Sequence, residues 1–138
     1  MTESANEQSV RRYWEDFWGK GDRAAVEEFY RPTFRLNGEE TARDEWLEGA
    51  EWWRGRFSDM GADVDKLFTC GNLVVSRVIY RGTHTADFNA LPTTGKDIEL
   101  SGLDVFEFEG GRVVDHWHET DHLEMFRQLG AELRPAQA

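Results

Sequence analysis

The sequence has little cysteine and no long apolar run. Cys70 is the single cysteine of the 138 residues, so no disulfide can form within the chain. A lone thiol fits a reducing compartment, and we therefore expect a cytoplasmic protein. No apolar stretch approaches the ~20 residues that span a bilayer. The N-terminal MTESANEQSV lacks the apolar core of a signal peptide. We therefore expect neither a membrane segment nor a secretory leader.

Positive charge is also scarce. The chain has 16 Lys and Arg against 27 Asp and Glu, which gives a formal net charge of −11. Such a surface repels phosphate backbones and anionic lipid, so nucleic-acid and membrane partners are disfavoured. The simpler explanation of the net negative charge is that it keeps the protein soluble. There is no internal repeat or long linker, and the length suits one core, so we expect a single domain over residues 1–138.

Aromatic residues, by contrast, are abundant. They make up 13% of the chain, and six of them are Trp. Large rigid aromatics suit either a core or the wall of a cavity for a flat apolar ligand.

The first part of the chain has the apolar spacing of helices. Apolar residues recur at helical spacing over about Glu7–Trp18, which predicts an amphipathic helix. Asp22 can cap a second short helix, which Pro32 stops. After a short extended piece at Phe34–Asn37, Thr41 is typical of the N-cap of a third helix. The apolar stripe of this third helix would be Trp46, Leu47, Ala50, Trp53 and Phe57.

From Asp63 onward the apolar period changes to two, which predicts strands. Gly110 and Gly111 favour a tight hairpin, and a last helix is predicted over His122–Leu129. Helices followed by an antiparallel meander predict an α+β fold with the helices on one face of a curved sheet. The strand candidates are Asp63–Phe68, Leu73–Thr83, Lys96–Phe108 and Arg112–His118.

Alternation within these strands places ionisable side chains among apolar ones. Asp104 shares a face with Ile98, Leu100, Gly102, Phe106 and Phe108, while His116 shares a face with His118. We expect Arg77, Asp104 and His118 to point to one side, as a cation, an acid and a base beside a pocket. An equally simple reading of Asp104 is a structural ion pair with Arg77. The opposite face of the last strand would carry Val113, Asp115 and Trp117.

Three histidines, His116, His118 and His122, lie within seven residues and raise the question of a metal site. Strand ligands at i and i+2 can share a metal. No third ligand stands at a recognisable spacing, so we expect no metal. Asp121 is more typical of a helix cap, and His84 of a surface loop.

Five motifs carry a family resemblance. They are Arg77 in VVSRVIYRGTHTADF and the runs Leu91–Lys96, Gly102–Phe106, Gly110–Trp117 and Arg127–Gly130. In these the chain resembles the SnoaL-like polyketide (ester) cyclases of the nuclear transport factor 2-like superfamily. The resemblance implies a cone-shaped, cystatin-like α+β fold around a deep apolar cavity. It also implies acid–base catalysis without a cofactor on a small-molecule substrate, and a homodimer.

In the aldol-closing cyclases of this family an Asp near the end of the last strand is the acid or base, and a His on the preceding strand assists. This chain has His118 and Asp104 at those places, so the two residue types are exchanged. The resemblance therefore implies a catalytic set of Asp104, His118 and Arg77. Substrate-binding residues would be Trp14, Trp46, Trp53, Asn37, His116 and Phe106.

Three functions remain open at this point. The first is a cyclase or isomerase of polyketide-type natural-product metabolism, acting by proton transfer as a lyase or isomerase. The second is an epoxide hydrolase or epoxide-opening cyclase that uses Asp104 and Arg77. The third is a non-catalytic module that binds a small molecule or forms a dimer. A pocket that reaches both Asp104 and His118 would favour catalysis.

Overall fold

The computed structural model describes residues 3–137. Its first helix, α1 (Ala5–Arg12), continues without a break as a π-helical segment, Tyr13–Gly19. Ser4 caps α1 by accepting a hydrogen bond from the backbone of Glu7. The wider i→i+5 turns bury four aromatic residues of the segment together, and such turns are frequent at functional sites. These four residues are Tyr13, Trp14, Phe17 and Trp18.

The next helix, α2, spans Arg23–Phe29, and the side chain of Asp22 caps it as predicted. Strand β1 (Tyr30–Leu36) follows at once, so the extended piece is longer than predicted and includes Pro32. After β2 (Glu39–Ala42) comes α3, which spans Arg43–Arg54. Two details of the prediction for α3 are wrong. Its N-cap is Ala42 because Thr41 is paired within β2, and Phe57 begins the next strand instead of completing the helix stripe.

The predicted meander is confirmed. It consists of β3 (Phe57–Cys70), β4 (Leu73–His84), β5 (Asp97–Glu109) and β6 (Arg112–Thr120), each antiparallel to the next. Strand β3, with 14 residues, is more than twice as long as the predicted Asp63–Phe68. Outside the meander the pairing differs at one place, because β1 pairs with β6 in parallel. The strand order is β2-β1-β6-β5-β4-β3, in a curved sheet that does not close.

The last helix, α4, spans His122–Gln128, and Asp121 caps it by accepting from the backbone N–H of Glu124, as predicted. Within residues 3–137, no helix is long and apolar enough to cross a membrane.

The core lies between the helices and the inner face of the sheet. On β5 the inner residues are those predicted from alternation: Ile98, Leu100, Asp104, Phe106 and Phe108 are all buried. An apolar strand face therefore carries a carboxylate into the interior.

The predicted faces of β6 are wrong, because a β-bulge changes which of its side chains point inward. Phe108 pairs with Val113, but Glu107 pairs with Asp115, so one extra residue enters β6. The extra residue shifts the alternation, and Val113 and His116 are both buried on the inner face. Asp115 is buried from the other side, where its carboxylate accepts hydrogen bonds from Arg35 at 2.8 and 3.2 Å. The tight turn at Gly110 and Gly111 is confirmed, with φ values of 61° and 82°.

Candidate active site

A cavity of about 390 Å³ opens on the inner face of β5 and β6. The π-helical segment and α3 supply most of its aromatic wall, and the strands supply most of its polar groups. A size of a few hundred Å³ with an apolar wall is typical of small-molecule sites. The aromatic lining is Tyr13, Trp14, Trp18, Trp46, Trp53 and Tyr80, and the polar lining includes Asp104, His116, His118, Thr120 and His122.

The most unusual feature of the cavity is a buried acid–imidazole pair. The Nε2 atom of His116 lies 2.7 Å from Oδ1 of Asp104, and each side chain is only 3% exposed. The second carboxylate oxygen of Asp104, Oδ2, is buried without a hydrogen-bond partner among the described residues. A buried polar atom without a partner costs free energy. Asp104 lines the cavity, and Oδ2 is the one of its two carboxylate oxygens that no described residue satisfies.

Behind this pair the hydrogen bonds continue into the core. The Nδ1 atom of His116 lies 3.1 Å from the hydroxyl of Tyr30, and the hydroxyls of Tyr30 and Tyr13 are 3.0 Å apart. The indole N–H of Trp18 donates to Tyr13 at 3.0 Å. Burial is the main cause that raises the pKa of both tyrosines well above the ordinary range. Both hydroxyls therefore keep their protons at neutral pH.

His118 stands directly opposite Asp104 in the strand register, but it is not the residue that bonds to the carboxylate. It is half-buried and lines the cavity. Burial chiefly, and then the charge of nearby His116, lowers the pKa of His118 below its usual value. At neutral pH it is a neutral imidazole, which can accept or donate a proton.

The predicted position of Arg77 is wrong. In the β4–β5 register Ser76 stands opposite Asp104, and Arg77 stands opposite Leu103 on the outer face. There its Nη1 lies 2.6 Å from Oδ2 of Asp65, and both side chains are about 40% exposed. Arg77 therefore neither pairs with Asp104 nor reaches the cavity. The predicted structural ion pair between Asp104 and Arg77 is therefore absent. The epoxide chemistry that would use Asp104 and Arg77 together also lacks its cation.

Four of the six predicted substrate-binding residues line the cavity, namely Trp14, Trp46, Trp53 and His116. Two do not. Phe106 is fully buried behind the wall, with its ring centroid 4.4 Å from that of His116. Asn37 lies outside the lining, where its Oδ1 accepts a hydrogen bond from the backbone N–H of His118 at 3.0 Å.

Sequence reasoning missed the tyrosines. Apolar spacing marks Tyr13, Tyr30 and Tyr80 only as core positions and gives no role to their hydroxyls. Their signal is chemical, because a tyrosine in a buried stripe needs a partner for its hydroxyl. The missing side chain of Gly102 leaves room for Tyr80: a Cβ there would lie 3.1 Å from the Tyr80 ring. The surface reading of His84 is also wrong, since it is fully buried with its Nδ1 2.9 Å from Oγ1 of Thr94.

The three histidines that suggested a metal all line the cavity: His116, His118 and His122. Within residues 3–137 no group of three or more side chains has the arrangement of a metal site.

His118 and His122 make the stability depend on pH. Burial lowers the pKa of both below 6.5 in the folded protein. The unfolded chain therefore binds more protons below about pH 6.5, and the free energy of unfolding falls as the pH drops from that value to the folded pKa values. We expect the urea midpoint of His122→Gln to fall less than that of the wild type between about pH 7.5 and pH 5.5. An unchanged pH dependence in both His122→Gln and His118→Gln would contradict this assignment.

Comparison with known proteins identifies the family of this chain. The sequence pattern of "SnoaL-like polyketide cyclase" matches residues 8–129. A candidate polyketide cyclase from Acidithiobacillus ferrooxidans is 28% identical, with a TM-score of 0.84 over 94% of this chain and 97% of that one. IdmH, a candidate polyketide cyclase from Streptomyces antibioticus, is 29% identical, with a TM-score of 0.81 over 91% and 99%.

TsrD from Streptomyces laurentii is 23% identical, with a TM-score of 0.84 over 96% of this chain and 100% of that one, and this likeness shows the fold alone. No match was found among proteins of curated function. The family match covers almost the whole of the folded chain, from α1 to the end of α4. The chain belongs to the SnoaL-like polyketide cyclase family.

Proposed function

We propose that the protein is an acid–base enzyme of polyketide-type metabolism that works without a cofactor. It cyclises or isomerises an apolar, oxygenated substrate inside the cavity. The observation that carries this proposal is Oδ2 of Asp104, a buried carboxylate oxygen with no hydrogen-bond partner within residues 3–137, in a residue that lines the cavity. Family membership and the likeness to candidate polyketide cyclases support the substrate class.

In this proposal Asp104 is the base. Its Oδ2 takes a proton from a carbon next to a carbonyl, and the enolate that forms attacks or rearranges within the substrate. His118, neutral and half-buried on the same wall, is the proposed second group: its N–H gives a proton to the substrate oxygen that becomes negative, and the proton held by Asp104 then passes through the cavity to restore His118.

The aromatic wall would select the substrate. Trp46 and Trp53 reach the cavity from α3, and Trp14 and Trp18 reach it from the π-helical segment. Flat rings of this size favour an extended aromatic or polyene substrate. Thr41 of β2 and Glu45 in the first turn of α3 would supply polar contacts for its oxygen atoms.

The competing function is a non-catalytic binding module. A cavity lined by both Asp104 and His118 favours catalysis, since mere retention of an apolar ligand needs no unpartnered carboxylate oxygen. From the family resemblance we further propose that the enzyme is a cytoplasmic homodimer.

The proposal can be tested before the natural substrate is identified. The probe is 5-nitrobenzisoxazole, a flat apolar molecule that a base alone opens to a coloured phenolate. We expect the wild type to open it faster than the same concentration of acetate does, with saturation kinetics. Binding without acceleration would support the non-catalytic module and contradict the proposal.

The cavity can be filled without harm to the fold at Gly49. This residue of α3 lines the cavity, and a Cβ there would meet no atom within 4 Å. Gly49→Leu should stabilise α3 by about 0.5–1 kcal/mol, because glycine is a poor helix former. It should also lower kcat/KM for the probe by at least about tenfold, a loss of ~1.4 kcal/mol of binding. Urea unfolding and probe kinetics measure the two effects.

The matched control is Glu48→Leu. It adds a leucine at the preceding, exposed position of the same helix, outside the cavity lining. Its kcat/KM should equal that of the wild type. Equal losses of kcat/KM in both variants would mean that the probe reacts outside the cavity.

A further inference from the structure

The cavity wall carries a second polar group, which lies apart from the Asp104–His116 pair. It consists of the hydroxyls of Tyr80 on β4 and Thr120 on β6, two residues that both line the cavity. We propose that these hydroxyls form an oxygen-binding subsite, which donates a hydrogen bond to the carbonyl or enolate oxygen of a flat apolar ketone. The part that this subsite plays in catalysis rests on the proposed function, but its capacity to bind a ketone does not.

The two hydroxyls come together because Gly102 has no side chain. In the strand register Gly102 of β5 stands opposite Val78 on β4 and opposite Thr120 on β6. Tyr80 stands opposite Leu100, so its ring leans along β5 to cover Gly102. A Cβ atom at Gly102 would lie 3.1 Å from the Tyr80 ring and 3.4 Å from Oγ1 of Thr120. The ring and the Thr120 hydroxyl therefore meet over the glycine.

This pair of hydroxyls has a proton to offer to the cavity. Each hydroxyl carries a single proton, and the side chain that hydrogen-bonds to Tyr80 is Thr120. A hydrogen bond between the two uses one of the two protons, in whichever direction it runs. Within residues 3–137 neither hydroxyl has a further partner, and neither is among the sealed polar atoms that lack one. The second proton is therefore open to a molecule in the cavity.

Tyr80 is the stronger donor of the two, because a phenol is a better acid than an alcohol. Its side chain is buried. Burial is the main cause that raises the pKa of Tyr80 well above its ordinary value, and the charge of nearby Asp104 is the next. The phenol therefore keeps its proton at neutral pH. It donates a hydrogen bond to a substrate oxygen without giving the proton up, so its role differs from that of His118.

The strand register sets the distance between this subsite and the proposed base. Asp104 pairs with His118 and Gly102 pairs with Thr120, so Asp104 and Thr120 are diagonal neighbours on the inner face. Diagonal neighbours in a sheet lie about 7–8 Å apart. A ketone fits this interval with its enolisable carbon at Asp104 and its oxygen at the hydroxyl pair. The same oxygen then lies beside His118, which is two residues from Thr120 on β6.

In the proposed reaction this hydrogen bond strengthens as charge develops. The C–H bond next to the carbonyl breaks, its proton goes to Asp104, and its electron pair moves through the C–C bond onto the carbonyl oxygen. That oxygen becomes negative while the Tyr80 phenol donates to it, and His118 then gives it a proton. A donor that is in place before the reaction stabilises the new charge without rearrangement. Tyr80 is therefore a catalytic residue in this scheme.

The subsite can be tested with 1-indanone, a flat apolar ketone whose oxygen accepts hydrogen bonds and cannot donate them. Indane, the same ring system without the oxygen, is the reference ligand. When 1-indanone binds the wild type, we expect its infrared carbonyl stretch to lie at lower frequency than in cyclohexane. In Tyr80→Phe/Thr120→Val, which lacks both hydroxyls, the stretch should move back toward the cyclohexane value. The affinity for 1-indanone should fall about tenfold there, while that for indane stays unchanged.

The single variants and a matched control complete the test. Tyr80→Phe should lose more of the frequency shift than Thr120→Val, and either variant serves if the double variant does not fold. The control is Thr69→Val, the same change at an exposed position of β3 outside the cavity lining, which should leave the stretch unchanged. A wild-type stretch equal to that in cyclohexane would overturn the subsite. So would a shift that all three variants keep, or a failure of 1-indanone to bind the wild type.

Kinetics with 5-nitrobenzisoxazole separate the subsite from the proposed function. Ring opening leaves a negative charge on the phenolate oxygen, so Tyr80→Phe should lower kcat about tenfold. Asp104→Asn should keep the carbonyl shift of bound 1-indanone, because the hydroxyls are still present. If the wild type shifts the carbonyl stretch but does not open the probe, the subsite stands and the base assignment fails. If Tyr80→Phe opens the probe at the wild-type kcat, the catalytic part of Tyr80 is contradicted.

Discussion

Asp104→Asn should lower kcat for base-catalysed ring opening of 5-nitrobenzisoxazole by ~10²–10⁴-fold. The amide has nearly the shape of the carboxylate, and its Oδ1 can still accept the hydrogen bond from Nε2 of His116. Its other atom, which replaces the unpartnered Oδ2, is an NH₂ group and cannot remove a proton. The chemistry is therefore lost while the fold is kept. Initial rates of phenolate formation, with circular dichroism as a check on folding, measure the effect.

The matched control for this variant is Asp65→Asn. Asp65 is also a strand aspartate, but it lies about 40% exposed on the outer face and bonds to Arg77. Its loss should leave kcat and KM unchanged, since a half-exposed ion pair contributes little and lies outside the cavity. Wild-type turnover in Asp104→Asn would remove Asp104 as the base. Equal losses in both variants would point to a general effect of lowered negative charge.

Phe106→Ala should strongly lower the free energy of unfolding. The ring is fully buried and lies 5.8 Å from Tyr13, 5.1 Å from Phe29 and 4.4 Å from His116, measured between centroids. Removal of a buried Phe side chain costs about 3–5 kcal/mol. A domain of this size has about 5–15 kcal/mol of stability in all. Urea unfolding should therefore show a large drop in midpoint.

Phe68→Ala is the control. Phe68 lies on β3 and is 60% exposed, so the same truncation should change the free energy of unfolding by no more than about 0.5 kcal/mol. The comparison also decides the role of Phe106, which the sequence suggested as a substrate contact. If Phe106→Ala keeps the wild-type stability and only raises KM, Phe106 touches the substrate after all.

The sequence predicted most elements of the fold because their signals are local. The helical spacing of aromatics around Trp14, the cap at Asp22 and the glycine turn at Gly110 each depend on a few neighbouring residues. Alternation along β5 correctly placed Asp104 on the buried face. The parallel pairing of β1 with β6 had no such signal, because it joins segments about 80 residues apart.

The site was predicted only in part. The sequence placed Asp104, His118 and three tryptophans at the cavity, but it paired Asp104 with the wrong cation and did not predict its imidazole partner. Arg77 faces outward, and the imidazole that bonds to the carboxylate is that of His116. Both points concern how one strand is placed against another.

The sequence by itself therefore determined which residues alternate within each strand, and so that a carboxylate would be buried at Asp104. Only the tertiary structure decided what faces that carboxylate. Within a strand the side chains alternate by covalent geometry. Between strands their relation depends on hydrogen-bond register, and a shift of one residue turns every side chain to the other face. A long segment, 85–96, joins β4 to β5, and a bulge interrupts β6, so tight-turn geometry does not set these registers and core packing over the whole domain decides them.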